Sequence, residues 1–169
     1  MNIDEIRGWM SRDEGAALSM LATDKVVLEM GVFCGKSTVY LAKTARLVHA
    51  CDWHFGDSGT GDADTLSECV SNLRAMGVYS KVILHVGRFE DIGAVLASNV
   101  FDMVLIDGGH DSKEVGHDCA IAKRVLKPGG VIAMHDSDRA SVQWARQTVF
   151  GEVDIQEAGS LAWFTWRPE

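Results

Sequence analysis

Two short segments carry most of the chain's reactive side chains: Asp107-Gly108-Gly109-His110 and His135-Asp136-Ser137-Asp138. Each follows an apolar run, so each lies where a buried strand ends and its last side chains reach a crevice. If the two strands are neighbours, Asp107 and Asp136 meet above the sheet. Carboxylates gathered there form an oxygen-rich site for a hard divalent cation such as Mg²⁺. Such a cation can bind an acceptor hydroxyl, lower its pKa and orient it for attack. The same segments hold two imidazoles, which titrate nearer neutral pH than an amine and suit proton removal. The catalytic candidates are therefore His110, His135 and Asp107, and the metal-ligand candidates are Asp107 and Asp136. Loop capping and a polar rim are the plainer uses of the same groups.

A third strand end reads Glu29-x-Gly31-x-x-x-Gly35-x-Ser37. Glycines there let the backbone turn sharply and approach a ligand, and the helix that follows offers free N–H groups. Only one spacing of the G-x-G-x-x-G dinucleotide pattern is kept, and an acid stands at its head. A carboxylate facing the ligand disfavours phosphate and suits a ligand with amine and sulfonium groups. Asp52 closes the next apolar run, 21 residues beyond Gly31, the interval at which an acid reaches a ribose diol. Its plainer role is a helix cap. Trp53 is placed either against adenine or at a sheet edge, and Arg88 and Phe89 border the same ring.

These residues need a frame. Residues 26–30, 47–51, 81–86, 102–106 and 131–135 are short, apolar and rich in Val, Ile and Leu. They read as strands of a parallel sheet buried on both faces. Between them, Leu66, Cys69, Val70, Leu73 and Met76 share one face of a helix over 63–76. Val115, Cys119, Ala122, Val125 and Leu126 do the same over 112–126, and Lys127-Pro128-Gly129-Gly130 stops that helix. A further helix is expected at 139–149. Then 152–157 and 161–166 form an antiparallel hairpin around Ala158-Gly159-Ser160. The expected fold is α/β, a doubly wound, seven-stranded, mostly parallel sheet ending in that hairpin. Residues 1–169 are read as one domain, with 1–25 a helical lead-in whose core contacts are Trp9 and Leu18. His54 is expected to be exposed in the Gly-rich loop 53–62, which reads as a flexible connection or a flap. His117 and Asp118 are assigned to a solvated helix face.

Composition bounds the partners. A formal charge of −8, with no run of Lys and Arg, argues against nucleic acid. No apolar stretch is long enough to span a bilayer, and the acidic Met1-Asn2-Ile3-Asp4-Glu5 does not read as a signal peptide. A cytoplasmic location is the expectation. Cys34, Cys51, Cys69 and Cys119 lie far apart in apolar surroundings and read as reduced core residues. Trp163 and Trp166 are core residues of the hairpin in this reading, with a homodimer contact as their alternative use.

VVLEMGVFCGKSTVYLAK, then Asp52, FDMVLIDGGHDSKEVGHD and LKPGGVIAMHD together resemble the class I S-adenosylmethionine-dependent methyltransferases. More narrowly they are similar to the small bacterial O-methyltransferase-like branch (methyltransferase 24 and catechol O-methyltransferase type). GWMSRDEGAALSMLA, at 8–22, resembles that branch's lead-in helix. The resemblance implies that Glu29, Gly31 and Gly35 surround the methionine part of S-adenosylmethionine, with Ser37 and Asp107 beside them. It implies Asp52 on the ribose and Arg88 or Phe89 at adenine. Metal-dependent members carry Asp at the position of Asp107, a general-base Lys three residues later, and Asp-Asn at the position of Asp136. Here His110 replaces that Lys and Ser137 that Asn. The implied activity is methyl transfer to a hydroxyl of a small-molecule acceptor, a sugar or catechol-like ring. A non-catalytic S-adenosylmethionine-binding module and an NAD-dependent oxidoreductase are the competing readings.

Overall fold

All five apolar runs form strands: β1 Val26–Met30, β2 Leu47–Asp52, β3 Val82–Val86, β4 Phe101–Ile106 and β5 Leu126–Met134. The computed structural model describes residues 1–56, 61 and 64–167; part of the Gly-rich loop read as a connection or flap lies outside them. Helices α1 Arg12–Ala22, α2 Lys36–Thr44, α3 Leu66–Ala75, α4 Phe89–Val95, α5 Ser112–Val125 and α6 Ala140–Phe150 cover both faces of the sheet. No described helix is long and apolar enough to cross a membrane.

The sheet has the order β3-β2-β1-β4-β5-β7-β6, with β6 Gln156–Ala158 and β7 Leu161–Thr165. Strands β1 to β5 pair in parallel, while β7 pairs antiparallel with both β5 and β6. The last strand is thus inserted next to the parallel block, and β6 becomes the edge. Strand β6 is shorter than the expected 152–157 because Ala158 to Gln156 are its only residues opposite β7. Alternation within the strands sorts the core. Val27, Met103, Leu105, Ala133 and Trp163 pack on one face with Leu18, Leu41 and Leu73. Leu28, Val104, Ile106, Ile132 and Phe164 pack on the other with Cys119 and Phe150. Trp163 is buried, and the half-buried Trp166 rests against Phe150, as a core role requires. All four cysteines are free and buried.

Two expectations need correcting. The Lys127–Gly130 segment ends the helix, but it is part of β5 rather than a separate turn. There β5 bulges, moving from Phe101↔Leu126 to Met103↔Val131. Gly129 N–H and Gly130 C=O pair with the backbone of Trp166, both at 2.8 Å, so the bulge is bonded to the end of β7. Trp9 is 70% exposed and packs at a tilt against Phe33 with ring centroids 5.2 Å apart, whereas Leu18 is fully buried.

The N-terminal helix is fastened by one acid. Ser11 and Glu14 form a capping box at the start of α1, in which Ser11 N–H donates to Glu14 Oε2 at 2.8 Å. The other oxygen, Oε1, accepts from Ser160 N–H and Ser160 Oγ, each at 2.8 Å, in the turn between β6 and β7. Burial alone would raise the Glu14 pKa, but the hydrogen bonds from Ser11 and Ser160 bring it down to about 2. Its stabilising effect is therefore present above the unfolded-state value near 4.5 and is lost as pH falls through about 2. Glu14→Gln is expected to lower the unfolding free energy at pH 7 by about 2–3 kcal/mol. Urea denaturation of both proteins at pH 7, 4 and 2.5 should show the difference shrinking as the wild type loses its ionised carboxylate.

Candidate active site

The carboxyl ends of β1 to β5 open into one cleft of about 1020 Å³. The chain steps outward from β1 through β2 to β3 and then crosses back to β4 on the other side of β1, so the cleft lies at the switch in strand order. At its floor the backbones of two strand ends touch. Asp107 N–H donates to Met30 C=O at 2.8 Å, and Gly31 N–H donates to Cys51 C=O at 3.0 Å. Gly31 has φ +102°, and a Cβ there would lie 2.0 Å from the Asp107 carbonyl oxygen. No residue with a side chain fits at that crossing.

The acid at the head of the glycine turn is not directed at the cleft. Alternation along β1 turns Glu29 towards α2, where it is fully buried. Its oxygens accept from Ser37 Oγ at 2.5 Å and Thr38 Oγ1 at 2.7 Å. Burial pushes its carboxyl up to about 8 against the opposing effect of those hydroxyls. Gly35 likewise lies off the cleft, with φ +86° at the start of α2, its absent Cβ leaving room for Cys69. Glu29 and Gly35 therefore hold the turn from beneath instead of lining it. Gly31, Ser37, Asp52, Trp53 and Arg88 do line the cleft, with Phe89 and Asp107.

Asp52 shapes the turn as well. Its Oδ2 accepts from Val32 N–H at 2.6 Å and Phe33 N–H at 2.8 Å, and its Oδ1 from His54 N–H at 2.7 Å. With four lone-pair sites, the carboxylate keeps capacity for one more donor on Oδ1. The Arg88 guanidinium stacks over the Trp53 ring at 4.7 Å, forming an aromatic and cationic wall at the β2 and β3 ends.

At the β4 and β5 ends the predicted acids and imidazoles converge. His110 Nε2 lies 2.6 Å from Asp136 Oδ2, at the half-exposed mouth. Asp136 has φ +52°, uncommon for a residue with a side chain. His135 is 6% exposed and lies among three acids. Its Nδ1 is 3.1 Å from Asp107 Oδ1 and 3.5 Å from Asp136 Oδ2. Its Nε2 is 3.2 Å from Ser160 Oγ and 3.6 Å from Glu14 Oε2. Burial favours the neutral ring, but the hydrogen bond and charge of Asp107, with Asp136 and Glu14, push it up to about 9. At neutral pH the ring holds both protons and has no lone pair to offer. One ligand atom each from Asp107, His135 and Asp136 lies within 4.8 Å of the others. The two carboxylates fit a hard cation; the protonated nitrogen does not.

Two residues expected to be solvated are buried. His54 is 2% exposed, its Nδ1 2.9 Å from Thr65 Oγ1 and its Nε2 without a partner among the described residues. Asp118 is 4% exposed and lines the cleft, while His117 is exposed as expected. Asp118 was visible in principle: it stands three residues after Val115 on the apolar stripe, where a charged side chain is out of place. Trp9 and Arg139 also line the cleft, brought there by loops whose course no periodicity reports.

A family model described as a methyltransferase domain matches residues 28–137, more than half of the chain. The chain belongs to this methyltransferase family. Cofactor-bound Rv0187 from MTB is 26% identical over 98% of this chain and 85% of its own, with a TM-score of 0.76. The O-methyltransferase TomG of Streptomyces achromogenes, involved in tomaymycin synthesis and solved with SAM, is 22% identical over 95% and 82%, with a TM-score of 0.72. An O-methyltransferase from Bacillus cereus, in complex with SAH, is 17% identical over 93% and 82%, with a TM-score of 0.73. The last two share the fold. Family membership removes the nicotinamide oxidoreductase reading.

The crossing at Gly31 is open to direct test. Gly31→Ala should lower the unfolding free energy by at least about 3 kcal/mol. Gly129→Ala, at φ +80° with open space around it, should cost only about 1 kcal/mol. Equilibrium urea denaturation of the two variants separates steric exclusion from backbone strain alone.

Proposed function

We propose that the protein transfers a methyl group from S-adenosylmethionine to a hydroxyl of a small, ring-bearing acceptor. The observation that carries this is the His110–Asp136 pair, 2.6 Å apart, at the mouth of the same cleft as the Gly31 turn. A cleft of about 1020 Å³ accommodates cofactor and acceptor together. S-adenosylmethionine supplies an electrophilic methyl group on a sulfonium. Asp52 takes a ribose hydroxyl on Oδ1, Trp53, Arg88 and Phe89 border the base, and the Gly31 turn receives the methionine portion. With Nε2–H donated to Asp136, His110 keeps its lone pair on Nδ1 and takes the hydroxyl proton as the oxygen attacks the methyl carbon. His135, carrying its own proton, holds Asp107 and Asp136 in place. Trp9 and Phe33, packed together at a tilt, give the rim an aromatic surface suited to a catechol-like ring.

A second reading adds a divalent cation on Asp107 and Asp136, favoured by the close approach of their oxygens. It would polarise the acceptor hydroxyl. His110 competes with it for Asp136.

Turnover is measured with labelled S-adenosylmethionine and a panel of phenols, catechols and sugars, with and without chelator and Mg²⁺. His110→Ala is expected to lower kcat by about 10²–10⁴-fold while S-adenosylhomocysteine binding stays within a few-fold. Full turnover by the variant overturns the base assignment. Loss of wild-type turnover in chelator, restored by Mg²⁺, selects the second reading. Binding without transfer to any acceptor selects the non-catalytic module.

A further inference from the structure

Asp118 is a buried acid that neither the fold nor the reaction uses. It lies on α5 between Val115 and Cys119, both buried, where an apolar side chain would pack without penalty. Its carboxyl is 4% exposed and faces the cleft, and no described residue donates a hydrogen bond to it. Among the described residues, the other buried acids are held by donors: Glu29 by two hydroxyls, and Glu14 by Ser11 and Ser160. An unpaired carboxyl at this depth is costly unless a ligand completes it.

The surroundings say what kind of ligand. A Cβ on Gly108 would lie 2.6 Å from the Phe89 ring and 3.4 Å from Asp118 Oδ2. Glycine at 108 thus lets the Phe89 ring and the Asp118 carboxyl pack close to the β4 end, and all three line one corner of the cleft. The corner is walled by the start of α4, the end of β4 and α5, and Arg88 over Trp53 adds a second flat surface nearby. A flat heterocycle with an amino group on its edge matches such a corner: Phe89 contacts the ring and the carboxyl accepts from the amine.

We infer that Asp118 reads the base of the bound cofactor, accepting a hydrogen bond from the 6-amino group of adenine. The inference rests on the proposed S-adenosylmethionine reading. Burial, with Glu114 and Glu90 nearby, pushes the Asp118 carboxyl up to about 7. Near neutrality an acid O–H is therefore also present to pair with a ring nitrogen beside the amine, and both forms accept from the amine.

The test is calorimetric binding of S-adenosylhomocysteine and of S-inosylhomocysteine, whose 6-oxo group removes the donor. The wild-type chain is expected to prefer the adenine compound by tenfold or more. Asp118→Ala should bind it about tenfold more weakly and prefer it no more than two- to threefold, yet melt at the same or a higher temperature without ligand. Asp118→Asn, whose amide oxygen still accepts from the amine, should recover most of the affinity for the adenine compound, although its NH2 can also pair with the 6-oxo group and so narrows the preference. An Asp118→Ala protein that keeps wild-type affinity and preference overturns the inference and leaves the cofactor reading intact. Failure of the wild-type chain to bind S-adenosylhomocysteine overturns both.

Discussion

At Gly31 two backbones pass so close that a Cβ would lie 2.0 Å from the Asp107 carbonyl oxygen. Strands β1 and β4 are central and adjacent, and at their carboxyl ends the Gly31 Cα lies against the Asp107 carbonyl with no space for a side chain. This contact brings the glycine turn and the acids at the β4 and β5 ends into one frame. Asp107 leaves β4 where β1 turns away, and His135 N–H continues the ladder by donating to Ile106 C=O at 3.1 Å. Both acid-bearing segments are thus registered to the turn by main-chain hydrogen bonds, which tolerate little displacement. The proposed transfer, with a methyl donor at one strand end and a base at another, would need that rigidity, because it depends on in-line geometry.

Around this frame, four buried or half-buried acids act as struts. Asp102 accepts from Val26 N–H at 2.8 Å and from Lys127 Nζ at 2.6 Å, tying β4 to both neighbours at the opposite end of the sheet. Glu29 fastens α2 under the turn, Asp52 cradles the turn from β2, and Glu14 joins α1 to the last hairpin. Each is paid for by donors that the fold itself supplies. The reaction centre follows the same rule with a proton as glue, since the His135 imidazolium sits among Asp107, Asp136 and Glu14. Asp118 departs from the rule, which is why it points to a ligand.

Much of this was readable from the chain. Parallel strands buried on both faces leave uninterrupted apolar runs, and Val26–Met30 forms a strand with the bounds its residues suggest. The helical stripes placed α3 and α5 within a few residues, and the 21-residue interval from Gly31 to Asp52 did bring that acid to the turn. The acids at 107 and 136 and the imidazoles at 110 and 135 do meet, because β4 and β5 are neighbours.

What the sequence determined by itself was local: period, turn chemistry, and which residue types stand at strand ends. Those depend on interactions a few residues apart. Tertiary structure alone decided that β7 inserts between β5 and β6, since either edge of the hairpin satisfies the same alternation. It decided that Glu29 points under the turn, where two hydroxyls of α2 compete successfully for its oxygens. It decided that His135 is buried among Asp107, Asp136 and Glu14, with Asp107 foremost in pushing its pKa up to about 9, while His110 is the half-exposed partner of Asp136. Side-chain direction and protonation are set by neighbours distant in sequence, and burial turns small differences in position into large differences in charge state.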